Sequence, residues 1–219
     1  MKGDKLVVRE EHTKAARKIA KLLFPPNTRR EGKFILTIAG ESGSGKSEIA
    51  SALSELLSHK GIKSIILQQD DYFVYPPKTN AGMRKKDIRH VGLQEVRLDL
   101  LDENLVSIME GSVTIDKPLV IFDEDRITQE TVNLDGVGVV IVEGTYTTVL
   151  KHAHQRVFID RTFLDTKEIR KKRAREEQDR FLDEILQIEH RIISSHLPQA
   201  TIIVTRDYDV REVKRHRGT

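Results

Sequence analysis

The stretch GESGSGKS, residues 40–47, separates the apolar run FILTIAG (34–40) from the amphipathic run SEIASALSELLSHK (47–60). It matches G-x-x-x-x-G-K-[ST], in which glycines allow successive backbone N–H groups to converge on an anion beside the positive end of the following helix. In this pattern the ammonium of Lys46 reaches the β- and γ-phosphates of a nucleotide, and the hydroxyl of Ser47 can bind Mg²⁺. The sequence therefore predicts that a nucleotide phosphate binds at Gly40, Glu41, Ser42, Gly43, Ser44, Gly45, Lys46 and Ser47.

The composition places the chain among ordinary globular proteins. Its 219 residues are 38% hydrophobic and 32% charged, which indicates one soluble domain, with or without an appended subdomain. The absence of cysteine excludes disulfides, a thiolate nucleophile and a Cys-ligated zinc site. Charges occur throughout the N-terminal segment, and no run approaches the length of about 18 apolar residues that a membrane span needs. We therefore expect a cytoplasmic protein without a signal peptide or a membrane span.

Apolar runs of strand length alternate with helical patterns along the whole chain. Further strands are predicted in IKSIILQ (62–68), VGVVIVEG (137–144), QRVFID (155–160) and ATIIVT (200–205). Helical spacing is found at 10–23, 47–60, 92–109 and about 165–195. Because buried parallel strands read as continuous apolar runs, this order predicts an α/β fold with a mostly parallel sheet and helices on both faces.

Three segments do not fit that alternation. Residues 70–90 are polar and contain prolines and the basic run MRKKDIRH, which favours a loop or a partly ordered flap. Residues 113–135 predict an excursion of short extended pieces. The basic tail REVKRHRGT, residues 211–219, is expected to be frayed.

Two common classes of phosphate-loop protein are disfavoured by missing motifs. None of the four asparagines is followed by lysine, as the guanine-specificity motif of GTPases would require, and the Leu-Ser-Gly-Gly signature of transporter ATPases is also missing. Instead, the strand VVIVEG ends in Glu143, where this class places a carboxylate that serves Mg²⁺. The alternative interpretation of Glu143 is a polar residue that ends a strand.

GESGSGKS, QQDDYF (68–73) and IVEG (141–144) together resemble the uridine kinase / phosphoribulokinase family, which also includes pantothenate kinase. The resemblance runs from about Phe34 to Asp207 and takes in MEGSVTIDKPLVIFDEDR, FIDRTFLDTKEIRKKRAREEQD and ATIIVTR. It implies a P-loop kinase sandwich with a small acceptor-side excursion and a mobile basic lid helix. The domains implied are an N-terminal helix and linker (1–32), a kinase domain (33–207, with the lid at about 165–182) and a basic tail (208–219).

The resemblance assigns the residue after Gln69 as the base toward the acceptor hydroxyl, and here that residue is Asp70. The chemistry agrees, because phosphoryl transfer uses a carboxylate near Mg²⁺ to orient the hydroxyl and accept its proton. A solvated turn remains the alternative for Asp70. The next residue, Asp71, departs from the family, where a small or aromatic residue is usual; it could hold metal-bound water, face solvent or bind a cationic acceptor. Tyr72 and Phe73 resemble the family's aromatic pair at the acceptor pocket, although such aromatics are often core residues.

The nucleoside-recognition pattern of uridine kinases is poorly represented. Their Asp-His-Pro motif is replaced by Arg89, His90 and Val91, and three acidic residues precede Arg126. The candidate acceptor-binding residues are therefore Asp71, Tyr72, Phe73, Arg89, His90 and Arg126. A basic flap also faces the expected acceptor side; it suits an acceptor that carries phosphate or carboxylate, or it is a solvated loop, and consists of Lys78, Arg84, Lys85, Lys86, Arg89 and His90.

A second basic cluster lies in the predicted lid. In kinases of this class, lid arginines neutralise the charge that develops on the transferred phosphoryl group. The alignment register is not unique, so the candidates are Arg170, Arg173 and Arg175.

These observations predict an ATP- and Mg²⁺-dependent kinase that phosphorylates a hydroxyl of a small molecule. The resemblance implies a nucleoside such as uridine or cytidine as acceptor, with a sugar, a sugar phosphate or another anionic metabolite as the alternative. A P-loop regulatory or nucleic-acid-binding protein is the rival from another class. A net charge of only +3 and an aromatic content of 5% argue against nucleic acid as a partner. The resemblance also makes a homo-oligomer a candidate state.

Overall fold

The computed structural model describes residues 6–25, 31–173 and 179–213, with the backbone alone for 171–173. The helices are α1 (Glu10–Leu23), α2 (Lys46–His59), α3 (Pro77–Lys86), α4 (Leu98–Met109), α5 (Lys167–Arg173) and α6 (Arg180–His196). The strands are β1 (Phe34–Gly40), β2 (Ser64–Gln68), β3 (Thr114–Ile121), β4 (Arg126–Asn133), β5 (Val139–Gly144), β6 (Gln155–Ile159), β7 (Ile202–Val204) and β8 (Val210–Glu212).

The central sheet has six strands in the order β2-β5-β1-β6-β7-β8, and all neighbouring pairs are parallel except β7 and β8. Glu143 on β5 is level with Ile38 on β1 and with Gln68 on β2. The carboxyl ends of these three strands therefore meet at one edge of the sheet. The segments that follow β1 and β2 emerge at that edge beside Glu143, which is where ligands bind in open α/β sheets.

Helices cover both faces of this sheet, so the predicted α/β fold with a mostly parallel sheet is confirmed. On one face, α1 and α2 bury Ile19 and Leu53 against Ile141. On the other face, α4 and α6 bury Leu105 and Ile193 in a second core. Among the described residues, no helix combines the length and the apolar character that a membrane crossing requires.

The predicted excursion at 113–135 is a two-stranded antiparallel hairpin of β3 and β4. The flap at 70–90, by contrast, is not a loop, because it contains α3. This helix begins with a proline, and the carboxylate of Asp125 in the hairpin turn accepts hydrogen bonds from the backbone N of Lys78 (2.7 Å) and of Thr79 (3.1 Å). A proline at the first position leaves fewer N–H groups to satisfy, and Asp125 satisfies the next two. The cap comes from a segment more than forty residues away, so local sequence patterns could not reveal it.

Three other segments differ from the sequence prediction. The helix predicted at 92–109 begins only at Leu98, after a 3-10 turn at Leu93–Glu95. The tail expected to be frayed begins within β8, which pairs antiparallel with β7, and its residues 214–219 lie outside the described part of the chain. The helical run at 165–195 is divided into α5 and α6, and residues 174–178 between them lie outside the described part of the chain.

Candidate active site

The phosphate loop, residues 40–47, joins β1 to α2, and its glycines have backbone angles that other residues rarely adopt. Gly43 has φ +76° and Gly45 has φ +101°, both in the left-handed region. The ammonium of Lys46 donates a hydrogen bond to the carbonyl of Glu41 (3.0 Å), so the lysine folds back over the loop. The loop thus has the conformation that its sequence motif predicts.

Tyr208, near the C-terminal end of the chain, supports the phosphate loop through a hydrogen bond to its backbone. The hydroxyl of Tyr208 donates to the carbonyl of Ser44 (3.2 Å), and the guanidinium of Arg161 donates to the same hydroxyl. His12 on α1 accepts at Nδ1 from the backbone N of Arg9, so its proton lies on Nε2, 3.2 Å from the hydroxyl of Tyr208. Burial lowers the pKa of His12, which favours this neutral form. Tyr208 itself has φ +61°, an uncommon conformation for a residue with a side chain.

Replacing Tyr208 by phenylalanine removes the hydroxyl that links these groups to the phosphate loop. A buried partner left without its hydrogen bond costs about 1–3 kcal/mol, so ATP binding is expected to weaken by roughly 5- to 150-fold. Isothermal titration calorimetry with Mg²⁺·ATP measures the change. Tyr75→Phe, on the flap, is the control and should leave ATP affinity unchanged. Unaltered affinity in Tyr208→Phe would show that the loop keeps its shape without this support.

Glu143 lies beside the phosphate loop at the end of β5. Its Oε1 accepts hydrogen bonds from the hydroxyl of Ser47 (3.0 Å) and from the side-chain amide of Gln68 (3.3 Å). Burial, and after it the negative charge of Asp70, raises the pKa of Glu143 to about 7, while Lys46 acts in the opposite direction. The site therefore concentrates negative charge where the sequence predicts a metal ion.

Asp70 reaches the site because its neighbour Gln69 is fixed. Residues Gln69–Tyr72 form a 3-10 turn in which the buried Gln69 accepts a hydrogen bond from the backbone N of Tyr146 (2.7 Å). Gly144 allows this, because a Cβ at that position would overlap the side chain of Gln69. Asp70 then lines a cavity of about 310 Å³ together with Lys46, Ser47 and Glu143.

Asp71 and Tyr72, predicted as acceptor-binding residues, do not line this cavity. Asp71 is 3% exposed, and its carboxylate binds the ammonium of Lys117 (2.7 Å) and the backbone N of Val120 (3.1 Å), both on β3. Tyr72 is fully buried, and its hydroxyl accepts a hydrogen bond from Asn104 (2.8 Å). In a 3-10 turn consecutive side chains diverge, so Asp70 faces the cavity while Asp71 and Tyr72 anchor the hairpin and α4. Of the predicted aromatic pair, Phe73 does line the cavity.

The basic residues predicted to meet the acceptor also lie elsewhere. Arg89 is exposed and pairs with Asp87 (2.8 Å). His90 contacts the side-chain oxygen of Asn80 (2.9 Å), and Arg126 pairs with Glu124 on the exposed hairpin (2.7 Å). These three side chains are not part of the cavity wall that the described residues form.

Local sequence patterns do not identify the polar group of the cavity wall that α3 and α6 form together. Arg84 on α3 and Glu189 on α6 both line the cavity and are joined by a hydrogen bond of 3.0 Å, and Asn80 on α3 lies beside them. Arg84 was recognised as part of a basic run, but its partners lie on distant segments. Glu189 belongs to an amphipathic helix, where a carboxylate gives no local signal of its function.

Of the predicted lid arginines, Arg170 lines the cavity next to the phosphate loop, because its Cγ would lie 3.3 Å from a Cβ placed at Gly43. Its guanidinium donates to the carbonyl of Phe163 and to the hydroxyl of Thr166, both at 2.6 Å. Arg173 is in α5, but its side chain is outside the described set, and Arg175 lies outside the described residues.

The carboxylate of Glu41, within the phosphate loop, is directed toward protein groups. One oxygen lies 2.6 Å from Nδ1 of His190 on α6, and the other accepts a hydrogen bond from the backbone N of Phe163. Glu41 thus ties the phosphate loop to the base of the lid and to α6. Any contact of this residue with a nucleotide would use its backbone.

Comparison with known proteins agrees with this geometry. The model of the Phosphoribulokinase / Uridine kinase family matches residues 35–187. A uridine kinase of Histophilus somni (strain 2336) is 31% identical over 161 residues, which is 70% of this chain and 74% of that protein. The bifunctional alpha-galactosidase/sucrose kinase AgaSK of Mediterraneibacter gnavus is 26% identical over 196 residues, 83% of this chain but only 21% of that much longer protein.

A solved structure shows the same fold. Phosphoribulokinase from Rhodobacter spheroides superimposes with a TM-score of 0.63 at 14% identity, over 79% of this chain and 70% of that chain. The family match covers more than half of the chain and confirms the resemblance carried by the three motifs. The chain therefore belongs to the phosphoribulokinase / uridine kinase family, whose members are kinases that transfer phosphate to hydroxyl acceptors.

Proposed function

We propose that this kinase transfers the γ-phosphate of ATP, with Mg²⁺, to a hydroxyl of a small molecule. The observation that carries the proposal is the convergence of Lys46, Ser47, Asp70 and Glu143 on one cavity. The cavity continues from these residues toward α3 and α6, which leaves room for an acceptor next to the phosphate loop.

Each of these side chains has a distinct task in the proposed reaction. The backbone of the phosphate loop and Lys46 hold the β- and γ-phosphates. Asp70 orients the attacking hydroxyl and accepts its proton as the new oxygen–phosphorus bond forms and the bond from the γ-phosphorus to the leaving ADP breaks. Arg170, which lines the cavity next to the phosphate loop, can stabilise the charge of the transferred group; Arg173 and Arg175 remain further candidates for that task.

The residues present fit a magnesium ion. Ser47 and Glu143 supply neighbouring oxygen ligands, with Asp70 as a further carboxylate close enough to affect the titration of Glu143. Within the described ranges, no group of three or more His, Cys, Asp or Glu side chains forms a protein-only metal cage. In kinases Mg²⁺ is held by one or two carboxylates together with substrate phosphates and water, and Glu143 and Asp70 can supply such carboxylates. When bound, the ion would neutralise charge on the phosphates.

The raised pKa of Glu143 predicts a pH-dependent affinity for Mg²⁺·ATP. The carboxylate form of Glu143 binds the metal. At a pH below the pKa of about 7, most of the free protein carries the protonated form instead. Affinity is therefore expected to increase by up to about 10-fold from about pH 6 to about pH 8, with release of a proton. Titration calorimetry in buffers that differ in ionisation enthalpy measures how many protons are released when Mg²⁺·ATP binds. Glu143→Gln should retain only the pH dependence of ATP itself; the same proton release in that variant would contradict the assignment.

For the acceptor, we propose a nucleoside such as uridine or cytidine, with a sugar as the second candidate. The nucleoside is supported by the similarity to uridine kinases, and the sugar by the similarity to the sucrose kinase part of AgaSK. A screen of nucleosides, sugars and sugar phosphates for acceptor-dependent ADP formation tests the proposal. ATP hydrolysis should be slow alone and rise sharply with an accepted molecule. No stimulation by any acceptor, together with tight, salt-sensitive RNA binding, would instead support a nucleic-acid-binding protein.

A further inference from the structure

We infer that Asp125, in the turn between β3 and β4, is a positioning residue for the acceptor. Its carboxylate connects the hairpin turn to the first turn of α3, and both segments contribute side chains to the cavity wall. The inference rests on the proposed function, because it concerns the cavity in which the acceptor binds. It assigns a residue that acts on the acceptor through other residues rather than by contact.

Hydrogen bonds in both directions connect the hairpin turn to α3. The carboxylate of Asp125 accepts at Oδ1 from the backbone N of Lys78 (2.7 Å). At Oδ2 it accepts from the backbone N (3.1 Å) and from the hydroxyl (2.7 Å) of Thr79. In return, the ammonium of Lys78 donates to the backbone carbonyl of Asp123 in the turn (3.1 Å). A carboxylate in this place satisfies N–H groups at the helix start and complements the positive end of the helix dipole, so the contact is stabilising.

The backbone conformation of Asp125 is uncommon for a residue with a side chain. Its φ of +46° lies in the left-handed region, which glycine, asparagine and aspartate adopt most readily. Its backbone N donates to the carbonyl of Phe122 (3.2 Å), which closes the turn. The position of Phe122 therefore depends on the same residue whose carboxylate binds α3. Asp125 is also one of the three acidic residues before Arg126, where the chain departs from the uridine kinase pattern.

Both sides of this contact line the cavity. Phe122 lines it from the hairpin turn, and Lys78 and Arg84 line it from α3. If the hairpin turn and α3 separate, these side chains move apart and the acceptor side of the cavity widens. An acceptor then binds only the fraction of the enzyme in which the two segments are in contact, so its apparent affinity falls with that fraction. The phosphate loop is supported by contacts with other segments, so ATP affinity should not depend on Asp125.

Two substitutions at position 125 test the inference, with an acceptor found in the screen described above. Asp125→Ala removes the cap and disfavours the left-handed backbone, so the KM for the acceptor should rise about 5- to 10-fold. Asp125→Asn keeps an oxygen acceptor and tolerates that backbone, so its KM should stay within about twofold of the wild type. In both variants kcat and the KM for ATP should change by less than about twofold. A loss of folded protein alone would lower the apparent kcat and leave the acceptor KM unchanged.

Two further variants examine the two sides of the contact. Asp123→Ala is the matched control, because Asp123 is exposed in the same turn and binds Lys78 through its backbone carbonyl, which alanine keeps. Its acceptor KM should equal that of the wild type. Thr79→Val, on the α3 side, removes only the hydroxyl that donates to Asp125 and should raise the acceptor KM about 3-fold.

Hydrogen exchange provides a readout that does not depend on turnover. The backbone N–H groups of Lys78 and Thr79 are bonded to Asp125 in the wild type, so in Asp125→Ala they should exchange at least about 5-fold faster. Amides of α2, outside this contact, should be unchanged. Bound acceptor should slow exchange at positions 78 and 79, because it favours the state in which the two segments are in contact.

The outcomes separate this inference from the proposed function. A wild-type acceptor KM in Asp125→Ala, or an equal rise in Asp125→Asn and Asp125→Ala, would overturn the inference and leave the proposed function intact. If the wild-type protein binds Mg²⁺·ATP but transfers phosphate to no acceptor, the proposed function fails and the inference with it. Should Asp125→Ala not fold, Thr79→Val decides: a raised acceptor KM supports the inference, and an unchanged one overturns it.

Discussion

Asp70→Asn is expected to slow phosphoryl transfer by about 10²- to 10⁴-fold while ATP affinity and stability change little. Asparagine keeps the size of the side chain and can still contact the acceptor, but it cannot accept the proton of the attacking hydroxyl. Asp70 lines the cavity beside Lys46 and Ser47, the cavity in which the acceptor binds in the proposed reaction. The loss should therefore appear in kcat and in single-turnover rates rather than in the Kd for ATP.

The same variant has a second, independent readout. The charge of Asp70 contributes to the raised pKa of Glu143, so Asp70→Asn should shift the pH dependence of Mg²⁺·ATP binding toward lower pH. Titration calorimetry follows this shift even when transfer is abolished. Full catalytic activity in Asp70→Asn would show that another group accepts the proton.

Asp71→Asn, at the adjacent position, is expected to have the opposite profile. It removes one partner of the buried pair with Lys117 and leaves the ammonium uncompensated inside the protein. Such one-sided removal costs about 3–5 kcal/mol of unfolding free energy, and about 3 is expected here because Glu130 still contacts Lys117. Urea unfolding at neutral pH measures the loss, and kcat of the remaining folded enzyme should be close to that of the wild type.

These two substitutions are matched in chemistry and differ only in position. A stable Asp71→Asn that fails to transfer phosphate would mean that the two carboxylates have exchanged roles. Lys117→Met provides a further check, because it removes the cation and leaves Asp71 buried without its strongest partner. It should destabilise the protein in the same direction as Asp71→Asn, again with little effect on kcat.

The phosphate loop could be predicted from the sequence because its conformation depends on contacts within a few residues. Glycines at 43 and 45 permit the required backbone angles, and β1 and α2 follow from apolar runs on each side. Glu143 could be placed for the same reason, since parallel strands bring their carboxyl ends to one edge of the sheet.

The sequence could not show that Asp70 lines the cavity while Asp71 is buried in an ion pair, because this difference depends on a partner in another segment. Lys117 lies 46 residues after Asp71, in a segment for which the sequence predicts short extended pieces but neither their pairing as a hairpin nor their position against Asp71. The acceptor wall depends likewise on distant contacts, in which Arg84 meets Glu95 and Glu189. The support of the phosphate loop by His12 and Tyr208 joins two ends of the chain that carry no motif.

The most direct test of the proposed kinase activity is to measure where the γ-phosphate of ATP goes. The enzyme is incubated with Mg²⁺ and ATP labelled at the γ-phosphate, in the presence of an uncharged nucleoside or sugar that stimulates ADP formation. We expect the label to appear on a hydroxyl of the acceptor, in equal amount to the ADP formed, and Asp70→Asn to slow this transfer by about 10²- to 10⁴-fold. Label recovered only as inorganic phosphate or attached to the protein would contradict transfer to a small-molecule acceptor.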